Sequence, residues 1–175
     1  MSISHIIRQT LRERANFSCE YCGISETDSG GELTIDHFHP QSKSGSDQLE
    51  NLVYCCFRCN VFKSDYWADE SSTPKLFNPR NDSYDEHFWL ADSGTLFALT
   101  IVGEFSIKLL RLNRQALVTK RQVARQKSEE QFILERSQKT VELLINLSQQ
   151  QRELLKEQKK LLEEQRRLLE LLFRE

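Results

Sequence analysis

Cys19 and Cys22, then Cys56 and Cys59, form two Cys-x-x-Cys pairs in one short stretch, and Asp36-His37 lies between them. Asn51 precedes the second pair and Asn60 follows it directly. Two residues between ligands let a chain knuckle aim both sulfurs at one ion, so four thiolates at this spacing can close a tetrahedral structural Zn2+ site. The residues between the pairs supply a different chemistry. An imidazole is the side chain suited to taking a proton from water near neutral pH. A carboxylate with an amide oxygen suits Mg2+ or Mn2+, which prefer oxygen ligands. Cys55 competes with Cys56 for the second pair, but only Cys56 has a cysteine three positions on, so Cys55 reads as a buried strand residue. Adjacent strand residues face opposite sides. Asp36 and His37 therefore serve one site only if the alternation relaxes where the strand runs into His39-Pro40.

The elements around these residues follow from patterning. Residues 4–16 read as a short amphipathic helix, with Ile7 and Leu11 four apart and Ser4 as N-cap. Residues 24–32, with Gly30 and Gly31, read as a loop. Leu33 to Phe38 is strand-like, Gln41 to Asp47 is a polar loop, Leu52 to Cys55 is a second strand, and Phe57 to Trp67 reads as a helix. The order strand, loop, strand, helix places the candidate ligands at strand and helix ends. Residues 71–86, with Pro74 and Pro79, read as an irregular connection. Leu96–Ile101 and Phe105–Leu109, flanking Val102-Gly103-Glu104, read as a β-hairpin. Beyond Gly103 the chain has no glycine and no proline, and Asn113 is the expected N-cap of a helix from Arg114 to the end. The expected division is 1–70, 71–112 and 113–175, in an α+β fold.

Composition excludes more than it selects. Apolar residues are 38% of the chain and charged residues 29%, low and high for a compact globule, which points to a solvated or elongated helix. The net charge of −2 leaves no global basic field for a nucleic acid. Lys and Arg outnumber Asp and Glu only over residues 71–125, 8 against 5. Arg80, Lys108, Arg111 and Arg114 are the resulting phosphate-binding candidates. The first residues lack the apolar core of a signal peptide, and no apolar run is long enough to span a membrane. Five cysteines without a secretory signal favour metal ligation over disulfides, hence a soluble, cytoplasmic protein.

The end of the chain repeats with period seven. The doublets Leu154-Leu155, Leu161-Leu162 and Leu168-Leu169 form one stripe, which Leu144 and Leu147 continue backwards. Seven-residue spacing implies a left-handed coiled coil. With the first leucine of each doublet at d, the a positions hold Gln151, Gln158 and Gln165, then Leu172, a polar layer that specifies register or partner. A helix of about 60 residues spans about 90 Å, too long to pack wholly on so small a domain. A homodimer, or a protein partner bound through this coil, is expected.

The ordered motifs together resemble the HNH endonuclease family. They are Cys19-x-x-Cys22, Asp36-His37-Phe38-His39-Pro40 through Gly45, Leu49-Glu50-Asn51-Leu52-Val53, and Cys56-x-x-Cys59-Asn60-x-x-Lys63. They match its zinc-stabilised subgroup, of ββα-metal fold, over about residues 12–67. Leu76-Phe77-Asn78-Pro79-Arg80 through Asn113-Arg114 resembles an extension found in bacterial members, and the tail lies outside the likeness. The resemblance implies a metal-dependent DNA endonuclease. His37 matches the general base, Asp36 a ligand of the catalytic ion, and Asn51 the asparagine that holds the loop and orients the base. Asn60 stands at the last position, where many members have histidine. It implies a Mg2+ or Mn2+ ion between Asp36 and Asn60, a phosphodiester hydrolysed to 5′-phosphate and 3′-hydroxyl ends, and substrate contacts from Lys63 and Arg80. The alternative is a catalytically weak zinc-ribbon DNA-binding or scaffold protein assembled through its coil.

Overall fold

A computed structural model describes residues 3–68 and 74–172, and it separates into two compact units, Met1–Val123 and Ala124–Glu175. Mixed helix and strand with two small sheets make the fold α+β.

In the first unit α1 (His5–Arg14) begins at Ser4, whose hydroxyl accepts from the Ile7 N–H, and buries Leu11 completely. Arg14 at its end donates to the carbonyls of Leu49 (2.9 Å) and Leu52 (2.5 Å), tying the helix to the strand that carries the second knuckle. Arg12 grips Glu26 bidentately at 2.8 and 2.9 Å, and the Tyr54 hydroxyl donates to the same carboxylate. Glu26 opens a one-turn helix, α2 (Glu26–Ser29), inside the expected loop, closed at its start by a reciprocal Ser25–Asp28 cap.

Next come β1 (Thr34–His37) and β2 (Leu52–Cys55), antiparallel with Asp36 opposite Val53 and His37 opposite Leu52, then α3 (Phe57–Lys63). This is the expected strand–loop–strand–helix order, though α3 ends at Lys63 rather than Trp67. All four β2 residues are buried, so the strand is sandwiched between α1 and the chain beyond the site. The core joins Leu11, Tyr21, Leu52 and Tyr54 to Phe77, Phe88 and Leu112, each such side chain worth about 1.5–3 kcal/mol of burial.

After the segment 69–73, which lies outside the described residues with the start of the expected irregular connection, come α4 (Tyr84–His87), β3 (Phe88–Leu90), β4 (Leu96–Ala98) and α5 (Ile101–Leu109). The hairpin is β3 with β4, one element earlier than the pattern of branched and aromatic residues predicts, and Ile101–Leu109 is helical. Three contacts override strand propensity there. Thr100 caps the helix by accepting from the Gly103 N–H at 3.1 Å. Buried Ser106 accepts from the Phe77 N–H and donates to the Val102 carbonyl. Gly103 lies against the His87 carbonyl, where a Cβ would stand 2.2 Å away. Asn113 is not a cap either. Its amide pairs with both backbone groups of Leu96 at 2.8 Å, and the last helix, α6 (Gln115–Leu172), begins two residues later.

The second unit is the continuation of α6, in which every side chain described from residue 124 to 170 is exposed.

Candidate active site and metal centre

The four knuckle sulfurs come together as the spacing requires. Gly23, at φ 72°, turns the first knuckle so that its N–H meets the Cys19 carbonyl, and the Cys19 N–H meets that of Ile24. Cys56 caps α3 with its own sulfur, which accepts from the Cys59 N–H at 3.5 Å. The sulfurs of Cys19, Cys22, Cys56 and Cys59 lie within 4.8 Å of one another, and none is in a disulfide. Cys22 Sγ and Cys56 Sγ are 3.7 Å apart. That matches the edge of about 3.8 Å of a tetrahedron with Zn–S bonds of about 2.3 Å, so the donor set fits zinc. Burial pushes the Cys19 thiol up, while the hydrogen bond from Cys19 holds Cys22 down at about 7. Cys55 lies outside the cluster, buried in β2 beside Thr34, as the spacing indicated.

Arg114 reaches this cluster from far along the chain. Its guanidinium lies 3.6 Å from Cys22 Sγ, 3.8 Å from Cys56 Sγ and 3.9 Å from Cys59 Sγ. A cation among thiolates offsets the negative charge that four of them leave on a divalent ion. Arg114 also lies 5.9 Å from the Phe62 ring. Arg111 stacks on Phe62 at 4.7 Å, and Lys108 pairs with Glu104 at 2.6 Å on α5.

At the end of β1, Asp36 and His37 take different partners. Asp36 turns inward, 8% exposed, where the Tyr21 hydroxyl donates to it at 3.2 Å and the Lys63 ammonium lies at 3.0 Å. Burial raises the Asp36 carboxyl above its ordinary 3.8 and outweighs the pull of Lys63 in the other direction. Burial also lifts Tyr21 well above 10, with the Asp36 charge adding to it. His37 turns to the loop, where its Nε2 meets Asp47 Oδ1 at 2.7 Å, an oxygen that Gln41 also donates to. His37 and Gln41 together hold the Asp47 carboxyl below its ordinary value. That contact leaves the His37 Nδ1 without a partner among the described residues.

Asn51 closes the loop. Its Oδ1 accepts from the His39 N–H at 2.7 Å, and its Nδ2 donates to the carbonyls of His39 and Ser46. Gly45 permits this return, because a Cβ there would stand 1.8 Å from the His39 carbonyl oxygen. Asn60, on α3, donates weakly to Thr34 at 3.4 Å and leaves its amide oxygen without a donor among the described residues.

Lys63 and Arg80 are both engaged within the fold. The Lys63 side chain is fully buried, and its ammonium also donates to the His37 carbonyl at 2.8 Å. It joins the Asp36 carboxylate to the His37 backbone. Arg80 is drawn onto Glu20, and its Nε is buried without a partner among the described residues. Asp47 was missed in the sequence. The signal available was an acidic residue in a polar loop that Gly45 folds back across His39.

Asp36 and Asn60 offer hard oxygen donors of the right chemistry for Mg2+ or Mn2+, with the Asp36 charge balanced by Lys63 in this arrangement. Among the described residues, the one group of three or more His, Cys, Asp or Glu side chains close enough to hold an ion is the cysteine set.

A hairpin and helix joined by four cysteines that could hold zinc, with a histidine on the hairpin's first strand and an asparagine behind the last cysteine, define a ββα module. Residues 19–65 match the family model described as HNH endonuclease, the family named from the sequence motifs. No curated protein and no solved structure matches the chain. Among the described residues no helix is long and apolar enough to cross a membrane.

Proposed function

We propose that the protein is an HNH-type endonuclease that hydrolyses phosphodiester bonds of DNA, with His37 as general base. The observation that carries this reading is the family match over residues 19–65, in which His37 is oriented by Asp47 and the loop by Asn51. With Nε2 held by Asp47, the Nδ1 is the nitrogen left to take the proton of an attacking water. Asp36 and Asn60 would hold a Mg2+ or Mn2+ ion once Lys63 releases the carboxylate, and that ion would polarise the phosphate. The cysteines hold the module around these groups without touching substrate. The proposed division remains 1–70 for the nuclease core, 71–112 for the accessory segment and 113–175 for the helix. The tail is proposed as a coiled coil binding a second copy or a protein partner, and the protein as cytoplasmic.

A second reading draws on one observation, the engagement of Asp36 by Lys63. A carboxylate that keeps its internal cation gives a zinc-ribbon DNA-binding or scaffold protein of weak activity. Supercoiled plasmid incubated with purified protein and Mg2+ or Mn2+ separates the two. The nuclease reading expects nicking that falls about 10²–10⁴-fold in His37→Ala, with 5′-phosphate ends and an unchanged melting temperature. Equal, negligible nicking by both proteins under every metal leaves the binding reading.

A further inference from the structure

Large apolar side chains left without a cover concentrate on α6. Leu154, Leu155, Leu161, Leu162, Leu168 and Leu169 are each between 53% and 63% exposed. At 3.6 residues per turn these leucines share one band with Gln151, Gln158 and Gln165. The band has unlike edges. Glu157 and Glu164 line one side, with Glu153, Lys160 and Arg167 further out behind them, and Arg152, Lys159 and Arg166 line the other.

Those edges decide what can cover the stripe. Two copies set parallel bring the acidic edge of one against the basic edge of the other along both seams. Set antiparallel, they bring like charges of the inner edges together, Glu157 and Glu164 on one seam and Arg152, Lys159 and Arg166 on the other. The glutamines act in the same direction. An amide both donates and accepts, so Gln151, Gln158 and Gln165 are satisfied against their own copies, whereas a slipped register buries each against leucine without a partner. We propose that the stretch Leu144–Leu169 pairs with a second copy of this chain, parallel and in register, with three Gln–Gln layers at its centre. The inference rests on the coiled-coil reading of the tail and adds its occupant and direction.

Full-length, zinc-loaded protein tests it by light scattering and by cross-linking. The expected mass at micromolar concentration is twice 20.6 kDa. Gln151→Cys and Gln165→Cys should each cross-link to itself on mild oxidation, while the unsubstituted chain does not. A monomeric mass overturns the homodimer altogether. A dimeric mass with cross-links only in a mixture of the two variants overturns the parallel arrangement and leaves a coiled coil standing. Charge supplies an independent readout. Glu157→Lys with Glu164→Lys should raise the dimer Kd about tenfold, and adding Lys159→Glu and Arg166→Glu should restore it. An unchanged Kd across the series overturns the pairing of the edges. None of these measurements depends on nuclease activity, so they stand or fall apart from it.

Discussion

The sulfur cluster and the Asp36–His37–Asn60 group occupy the same ββα module but are built in opposite ways. The cysteines are four like side chains whose sulfurs converge within 4.8 Å, brought there by two knuckles, and could hold one ion. In the second group each residue is tied to a different neighbour: Asp36 to Tyr21 and Lys63, His37 to Asp47, Asn60 to Thr34. A soft-metal clamp is specified by ligand spacing alone, because each Cys-x-x-Cys is a local turn. The second group is specified by the partners that aim each residue, and those lie 10 to 27 residues away along the chain.

The sharpest way to break this contrast is to remove the clamp. Cys56→Ser, or exhaustive chelation, should unfold the unit Met1–Val123, since zinc binding in small modules contributes about 10–16 kcal/mol of folding free energy. The expected signature is loss of near-ultraviolet circular dichroism and of bound zinc, with the helical signal of residues 124–172 retained. Cys55→Ser, one position away, should leave zinc content unchanged. If Cys56→Ser kept zinc and a native near-ultraviolet spectrum, the cysteines would not be the clamp.

What the sequence disclosed follows the same division. Both knuckles, the β1–β2–α3 order, the buried Cys55 and the long α6 were legible, because each rests on local spacing or on unbroken helical pattern. The error at Ile101–Leu109 came from reading β-branched and aromatic residues as strand where Thr100 capping and the Gly103–His87 approach impose a helix. Asn113 was misread for a like reason, its cap chemistry being spent on Leu96, 17 residues away. The roles of Lys63, Arg80 and Arg114 were hidden altogether. Each is a basic residue that sequence assigns to solvent or phosphate, and each is taken by an internal anion or sulfur that only the fold brings near.

Lys63 tests that lesson at the next scale of effect. A buried ion pair is costly to break from one side, because the remaining charge is left desolvated. Lys63→Met should destabilise the first unit by about 3–5 kcal/mol, measured by urea unfolding of zinc-loaded protein. Asp36→Asn added to it should recover a large part of that loss, since the orphaned charge is then gone. Were Lys63→Met neutral, the ammonium would not be the buried partner of Asp36, and its assignment to a phosphate would return.

Asp47 gives the smallest effect and the finest test, because it sits at the exposed side of the site, 43% open to solvent. Its carboxyl lies below the ordinary 3.8 through the contacts from His37 and Gln41. A depressed folded value means that the ionised form is favoured by folding. The contribution is therefore present above 3.8 and disappears as pH falls through the lower folded value. Asp47→Asn should melt slightly below the unsubstituted protein at about pH 6, with the two curves converging as pH falls through the depressed Asp47 value. Its nicking rate should fall about tenfold, less than for His37→Ala, because an orienting partner at the solvent edge is partly replaced by water. A melting difference that persists at the acid end would mean that Asp47 acts by packing rather than through its charge on His37.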